Sequence, residues 1–149
     1  MLNEFQRRAR ISRGRRGLLW EALIALLIAR TAMAFIPFRR IATWLGTPGA
    51  ESPSATTAEE TRIAKDIGWA VGVLGRRVPW DGRCLAQALA ATAMLRRRGL
   101  EGTVSFGVRE GESAEFDAHA WLRLGSCIVT GGPGHERYRS LATFARNQS

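Results

Sequence analysis

Two side chains in this 149-residue sequence have the types and setting for covalent catalysis, Cys84 and His119. A free thiol has a pKa of about 8.5 and is mostly protonated at neutral pH. A nucleophilic cysteine therefore needs a helix N-terminus, a neighbouring imidazolium, or both to hold it as thiolate. Cys84 follows Pro79-Trp80-Asp81-Gly82-Arg83, where Asp81 and Gly82 read as an N-cap and first turn. That places the thiol where unpaired backbone N–H groups and the helix dipole favour an anion. His119 comes 35 positions later, in the strand-like phrase Ala118-His119-Ala120-Trp121. A thiol at a helix start followed by an imidazole on a strand is the order used by Cys-His acyl-transfer enzymes, and a cysteine peptidase is the reading it supports.

The elements that must position this pair follow from pattern. Leu85 to Leu95 is apolar on nearly every side, which marks a helix buried in the domain; Arg96, Arg97 and Arg98 then complement the dipole of its last turn, and Gly99 supplies the left-handed end. Thr103 to Val108 alternates as a strand, a turn follows at Glu110 to Ser113, and Phe116, Ala118, Ala120, Leu122 and Leu124 form a second alternating set. His119 then shares the opposite face with Asp117 and Trp121. A two-residue Gly125-Ser126 turn returns the chain, and pairing Leu124 with Cys127 puts Ile128 and Thr130 on the face of His119. Asp117 and Thr130 are accordingly the candidates for a third group that orients the imidazole. The indole of Trp80, four positions before the thiol, is a candidate oxyanion donor beside the backbone N–H of Cys84.

Other residues read more plainly. Cys127 sits in an apolar strand and reads as core, and His135, in a Gly-Pro-Gly-His loop, as solvated. Two Cys and two His at these spacings make no metal site, and no phosphate-cradling Gly-rich motif implies a cofactor. A reactive thiol suits a reducing cytoplasm.

The ordered phrases Val78-Pro79-Trp80, Arg83-Cys84-Leu85, Leu95-Arg96-Arg97-Arg98-Gly99, Phe106-Gly107-Val108, Ala118-His119-Ala120-Trp121-Leu122 and Val129-Thr130-Gly131-Gly132 resemble the leader peptidase of lasso-peptide biosynthesis, a transglutaminase-like cysteine protease family. An apolar N-terminal helix before Pro37-Phe38-Arg39-Arg40 is also similar to that family, so the resemblance covers most of the chain. It implies an α+β, papain/transglutaminase-like fold with N-terminal helices and a Cys-bearing buried helix packed on a small antiparallel sheet. It also implies removal of the leader from a ribosomally made precursor peptide, with Cys84 as nucleophile and His119 as base. The wider pattern carries an Asp on the strand after the His strand, where this chain reads Ile128-Val129-Thr130-Gly131-Gly132. Either Asp117 or Thr130 takes that part, or the site is a dyad. Fused members carry a small recognition domain that the length and pattern here lack, so a separate leader-binding recognition protein is implied as partner, with the ring-forming cyclase as a further one.

The length suits one domain, read as a basic arm and helical hairpin over 1–46, a linker over 47–54 and the peptidase core over 55–149. Net charge is +9, nearly all the positive charge being Arg, and Arg7, Arg8, Arg10, Arg13, Arg15 and Arg16 crowd the N-terminus. Such an arm is either a solvated terminus or an anion-binding one; aromatic interleaving is thin, so no nucleic acid is expected, while membrane-surface contact fits. Leu18 to Phe38 is apolar enough to imitate a signal peptide or a span, but Glu21 and Arg30 favour a soluble, partly buried helix. A helix begins near Thr56 or Thr57 with Glu59 and Glu60 in its first turn, and Ile63, Ile67, Ala70, Val71 and Leu74 face the core. Glu136 to Arg146 reads as a terminal helix. The rivals to a peptidase are another acyl-transfer enzyme on the same scaffold, an amidase or transglutaminase, and a non-enzymatic Arg-rich binder of RNA or membrane.

Overall fold

The Ala-rich run after Cys84 becomes the helix on which the other elements pack. A computed structural model describes residues 4–76, 83–110, 116–132 and 135–146, and the side chains of 14–76, 84–109, 118–132 and 135–146. In chain order these form α1 (Glu4–Phe35), α2 (Phe38–Leu45), β1 (Thr47–Pro48), α3 (Ala58–Gly75), α4 (Arg83–Arg97), β2 (Thr103–Glu110), β3 (Phe116–Leu124), β4 (Cys127–Thr130), a 3-10 turn at His135–Arg137, and β5 (Arg139–Ala145). Among the described residues the fold is therefore α+β, with four helices on a five-stranded antiparallel sheet of order β1-β5-β2-β3-β4.

The helices begin and end where local chemistry says they should. Thr57 caps α3 reciprocally: its hydroxyl accepts from the Glu60 N–H and its own N–H donates to the Glu60 carboxylate, both at 3.1 Å. α4 stops at Gly99, whose φ of +73° lets the Leu100 N–H reach the Leu95 carbonyl at 3.0 Å. Leu26 of α1, Ile67 and Val71 of α3, Met94 and Leu95 of α4, and Val104 and Leu122 of the sheet are fully buried together. At about 1.5–3 kcal/mol for each large aliphatic side chain, this shared core is the main force joining helices to sheet.

Arginines fasten the C-terminal end of α4. The Arg96 guanidinium donates to the carbonyls of Trp44 and Leu45 at 2.6 Å each, capping the end of α2, while it lies 4.5 Å over the Trp44 ring and pairs with Glu101 at 3.3 Å. Burial pushes its pKa down, and the Glu101 charge opposes that. Arg97 and Arg98 both reach Glu21 of α1, at 2.8 and 2.7 Å. The hydrogen bond from Arg98 holds the Glu21 carboxyl below its usual range against the opposing effect of burial.

Three expectations change. The 47–54 stretch does not separate two parts: Thr47 and Pro48 pair with Ala145 and Phe144 of β5, and Ser52, buried, bonds the Thr103 hydroxyl at 2.7 Å. Gly46 allows this contact, since a Cβ there would strike the Ala145 carbonyl. Helix α1 starts at Glu4 rather than near Leu18, so the arginine-rich arm is helical in its backbone. The C-terminal segment is the strand β5, not a helix. The open edge of β2 needs a partner for its N–H and C=O groups, and β5 supplies it, burying Phe144 and Ala145.

Candidate active site

Cys84 is the second residue of α4, in its first turn, and is a free, half-buried thiol. The Asp81 cap, Gly82 and the Trp80 oxyanion donor lie outside the described residues, as does the Asp117 side chain. The backbone of Asp117 is in β3, in register with Arg109.

His119 is built in from three sides. On β3 it stands opposite Gly107 of β2, and alternation sets it with Trp121 on the face away from Ala120 and Leu122. Its ring stacks on Trp121 at 5.9 Å between centroids and lies 4.8 Å from the Tyr138 ring, over which the Arg109 guanidinium sits at 5.2 Å. Gly107 makes room for this packing, because a Cβ there would come within 2.8 Å of the Trp121 ring. The third contact is polar: His119 Nε2 lies 2.8 Å from the carbonyl oxygen of Gly131. A carbonyl only accepts, so Nε2 carries the proton and the lone pair is left on Nδ1.

Thr130 does not share the face of His119. The expected pairing of Leu124 with Cys127 holds, and Arg123 pairs with Ile128, but Leu122 then pairs with Thr130. An extra residue on β4, Val129, bulges out and flips everything after it. Thr130 turns to the Leu122 face, where its buried hydroxyl has no partner among the described residues, and the Gly131 carbonyl arrives at the imidazole instead. Gly131 has φ +71°, and a Cβ on it would stand 2.9 Å from Trp121 Cβ and 3.0 Å from His119 Nε2. Close approach and the left-handed backbone thus both call for glycine here.

The two chemical residues are not joined by a hydrogen bond among the described residues. The sheet face that packs on α4 is the Leu122 and Val104 face, and His119 belongs to the other. Cys127 is half-buried against the core, as expected. His135 is not simply solvated: it is half-buried, its Nδ1 lies 2.7 Å from the Gly132 carbonyl and its ring 5.8 Å from Trp121. Sequence reasoning missed Gly131 and Tyr138. The Gly131-Gly132 pair signals a special backbone, but nothing local says which ring it serves.

A model of the transglutaminase-like superfamily matches residues 23–143. The chain belongs to the transglutaminase-like superfamily. The match runs from α1 through β5 and so takes in both Cys84 and His119. Membership carries cysteine-dependent chemistry of the protease and acyl-transfer type. Searches of curated proteins and of solved structures gave no match.

Proposed function

We propose that this protein is a cysteine peptidase that removes the leader from a ribosomally made lasso-peptide precursor. The observation that carries the reading is a superfamily match spanning a thiol in the first turn of a buried helix and a tautomer-fixed histidine downstream of it. The resemblance of the ordered phrases from Val78 to Gly132 narrows the class to leader peptidases.

The chemistry runs in two halves. Nδ1 of His119 takes the Cys84 proton, and the thiolate attacks the carbonyl carbon at the leader–core junction. Backbone N–H groups of the first turn of α4 stabilise the oxyanion, and collapse expels the core peptide as an amine that takes the imidazolium proton. Water then cleaves the thioester, releasing the leader. In this reading a separate leader-binding protein delivers the precursor. A cytoplasmic location suits the thiol.

The test is alkylation by iodoacetamide at pH 6, followed by mass spectrometry of wild type and His119→Ala. Selective labelling of Cys84 over Cys127 that collapses in the variant supports an activated pair. Equal, slow labelling of both thiols in the presence of precursor and leader-binding protein refutes it. The acyl-transfer rival, an amidase or transglutaminase, is separated by adding a primary amine during turnover. Hydrolysed leader alone supports the peptidase, and an amide adduct of the leader supports the rival.

A further inference from the structure

Helix α1 is apolar on two opposite sides. One side, Ala22, Leu26 and Ala29, is core. The other presents Trp20, Ile24, Leu27, Ile28 and Phe35 at the spacing of a single helical stripe, with Trp20 at 66%, Ile28 at 64% and Phe35 at 82% exposure. A groove of about 590 Å³ continues the stripe toward α2, where Ile36, Ile41 and Trp44 line it. Contiguous apolar surface on this scale marks an interaction site.

Charge says what covers it. Arg16 precedes the stripe and Arg40, which lines the groove, follows it, both exposed, on a chain of net charge +9 with six arginines in its first sixteen residues. Aromatic residues stand at both ends, Trp20 at one and Phe35 and Trp44 at the other. An apolar face with aromatic ends and flanking arginines is the pattern of a helix lying in the interface of an anionic bilayer. A second copy of the chain fits less well, since two-fold pairing of this face brings like-charged arginines together. Spanning is excluded by the inner side: Gly14–Phe35 is long and apolar enough to cross a bilayer, but Glu21 is clamped to Arg97 and Arg98, and Leu26 sits in the core.

We infer that the outer face of α1 docks the protein on an anionic membrane surface, with α1 parallel to the membrane. The inference is independent of the peptidase reading. The test is co-sedimentation of the full chain with phosphatidylcholine vesicles, with and without 30 mol % phosphatidylglycerol, at low and high salt. Three variants accompany wild type: Leu27→Ser with Ile28→Ser, Arg39→Gln with Arg40→Gln, and, as a control in the exposed turn before β5, Arg137→Gln. We expect binding to anionic vesicles at least about tenfold stronger than to neutral ones, weakened by salt and by the Arg39/Arg40 change, and lost in the Leu27/Ile28 variant while its circular dichroism matches wild type. Binding that survives the Leu27/Ile28 change overturns the inference, as does failure of wild type to sediment with either vesicle. A salt-stable dimer that the same variant dissociates assigns the face to a second copy.

Discussion

The two ends of α4 are built by different means. At the C-terminal end three arginines tie the helix to α1 and α2, and Gly99 closes it with a left-handed turn. At the other end sits Cys84, half-buried, in a first turn whose orphan N–H groups suit an anion. Charge is spent on holding the helix at one end, and at the other the helix itself supplies the field. The contrast teaches where to look for stability and where for chemistry, and it is open to attack from both sides.

The largest effect falls at the thiol. Cys84→Ala is expected to lower precursor cleavage by at least about a thousandfold, because the covalent route is removed, while the midpoint of thermal unfolding stays within a few degrees of wild type. A variant that cleaves normally breaks the assignment of chemistry to this end. At the opposite end, Arg96→Ala is expected to cost about 3 kcal/mol in urea unfolding, since the α2 carbonyls lose their donor and half-buried Glu101 loses a partner. The same variant is expected to leave the ratio of Cys84 to Cys127 alkylation unchanged among folded molecules.

A smaller effect belongs to Gly131→Ala. The added Cβ collides with Trp121 and His119 Nε2, so cleavage is expected to fall by about ten- to a hundredfold. Nitrogen-15 shifts of the His119 ring report the cause directly, as the Nε2–H tautomer gives way to a mixture. Unchanged ring shifts together with full activity remove the carbonyl from the site.

The smallest is Glu21→Gln, at about 1.5 kcal/mol, for the loss of charge-assisted bonds to Arg97 and Arg98. Its pH dependence has a definite sign. Arg98 holds the Glu21 carboxyl below its ordinary value in the folded chain, so the ionised form stabilises the fold above the unfolded pKa, and that stability drains away as pH falls through the folded one. Wild type and Glu21→Gln should therefore converge in acid and diverge toward neutrality; parallel curves refute the pairing.

What was legible in the sequence was local. The start of α3 with Glu59 and Glu60 in its first turn, the stop at Gly99 and the Gly125-Ser126 turn are each set by residues within a few positions of one another, and the structure has them as read. Two misreadings came from longer range. Tyr138, Leu141, Ala142 and Phe144-Ala145 fit helical spacing, yet the unsatisfied edge of β2 decides their state, and that edge is more than thirty residues away in sequence. The Val129 bulge is a tertiary choice as well: α3 presses Gly68 against the Val129 carbonyl, so closely that a Cβ there would collide with it. No pattern within β4 announces this, and it is what moved Thr130 away from His119. The partnership of Arg96 with the end of α2 was hidden for the same reason, although the arginine run itself was plain.

The slip of one residue at Val129 changes the kind of atom that faces the imidazole. A carboxylate in that place would titrate, would draw a full counter-charge toward the ring, and would vanish on a single codon change. A peptide carbonyl has no proton to gain in any ordinary buffer and no side chain to delete. The orientation of His119 is thereby written into the path of the main chain, so it holds from acid to alkaline conditions for as long as the hairpin keeps its shape.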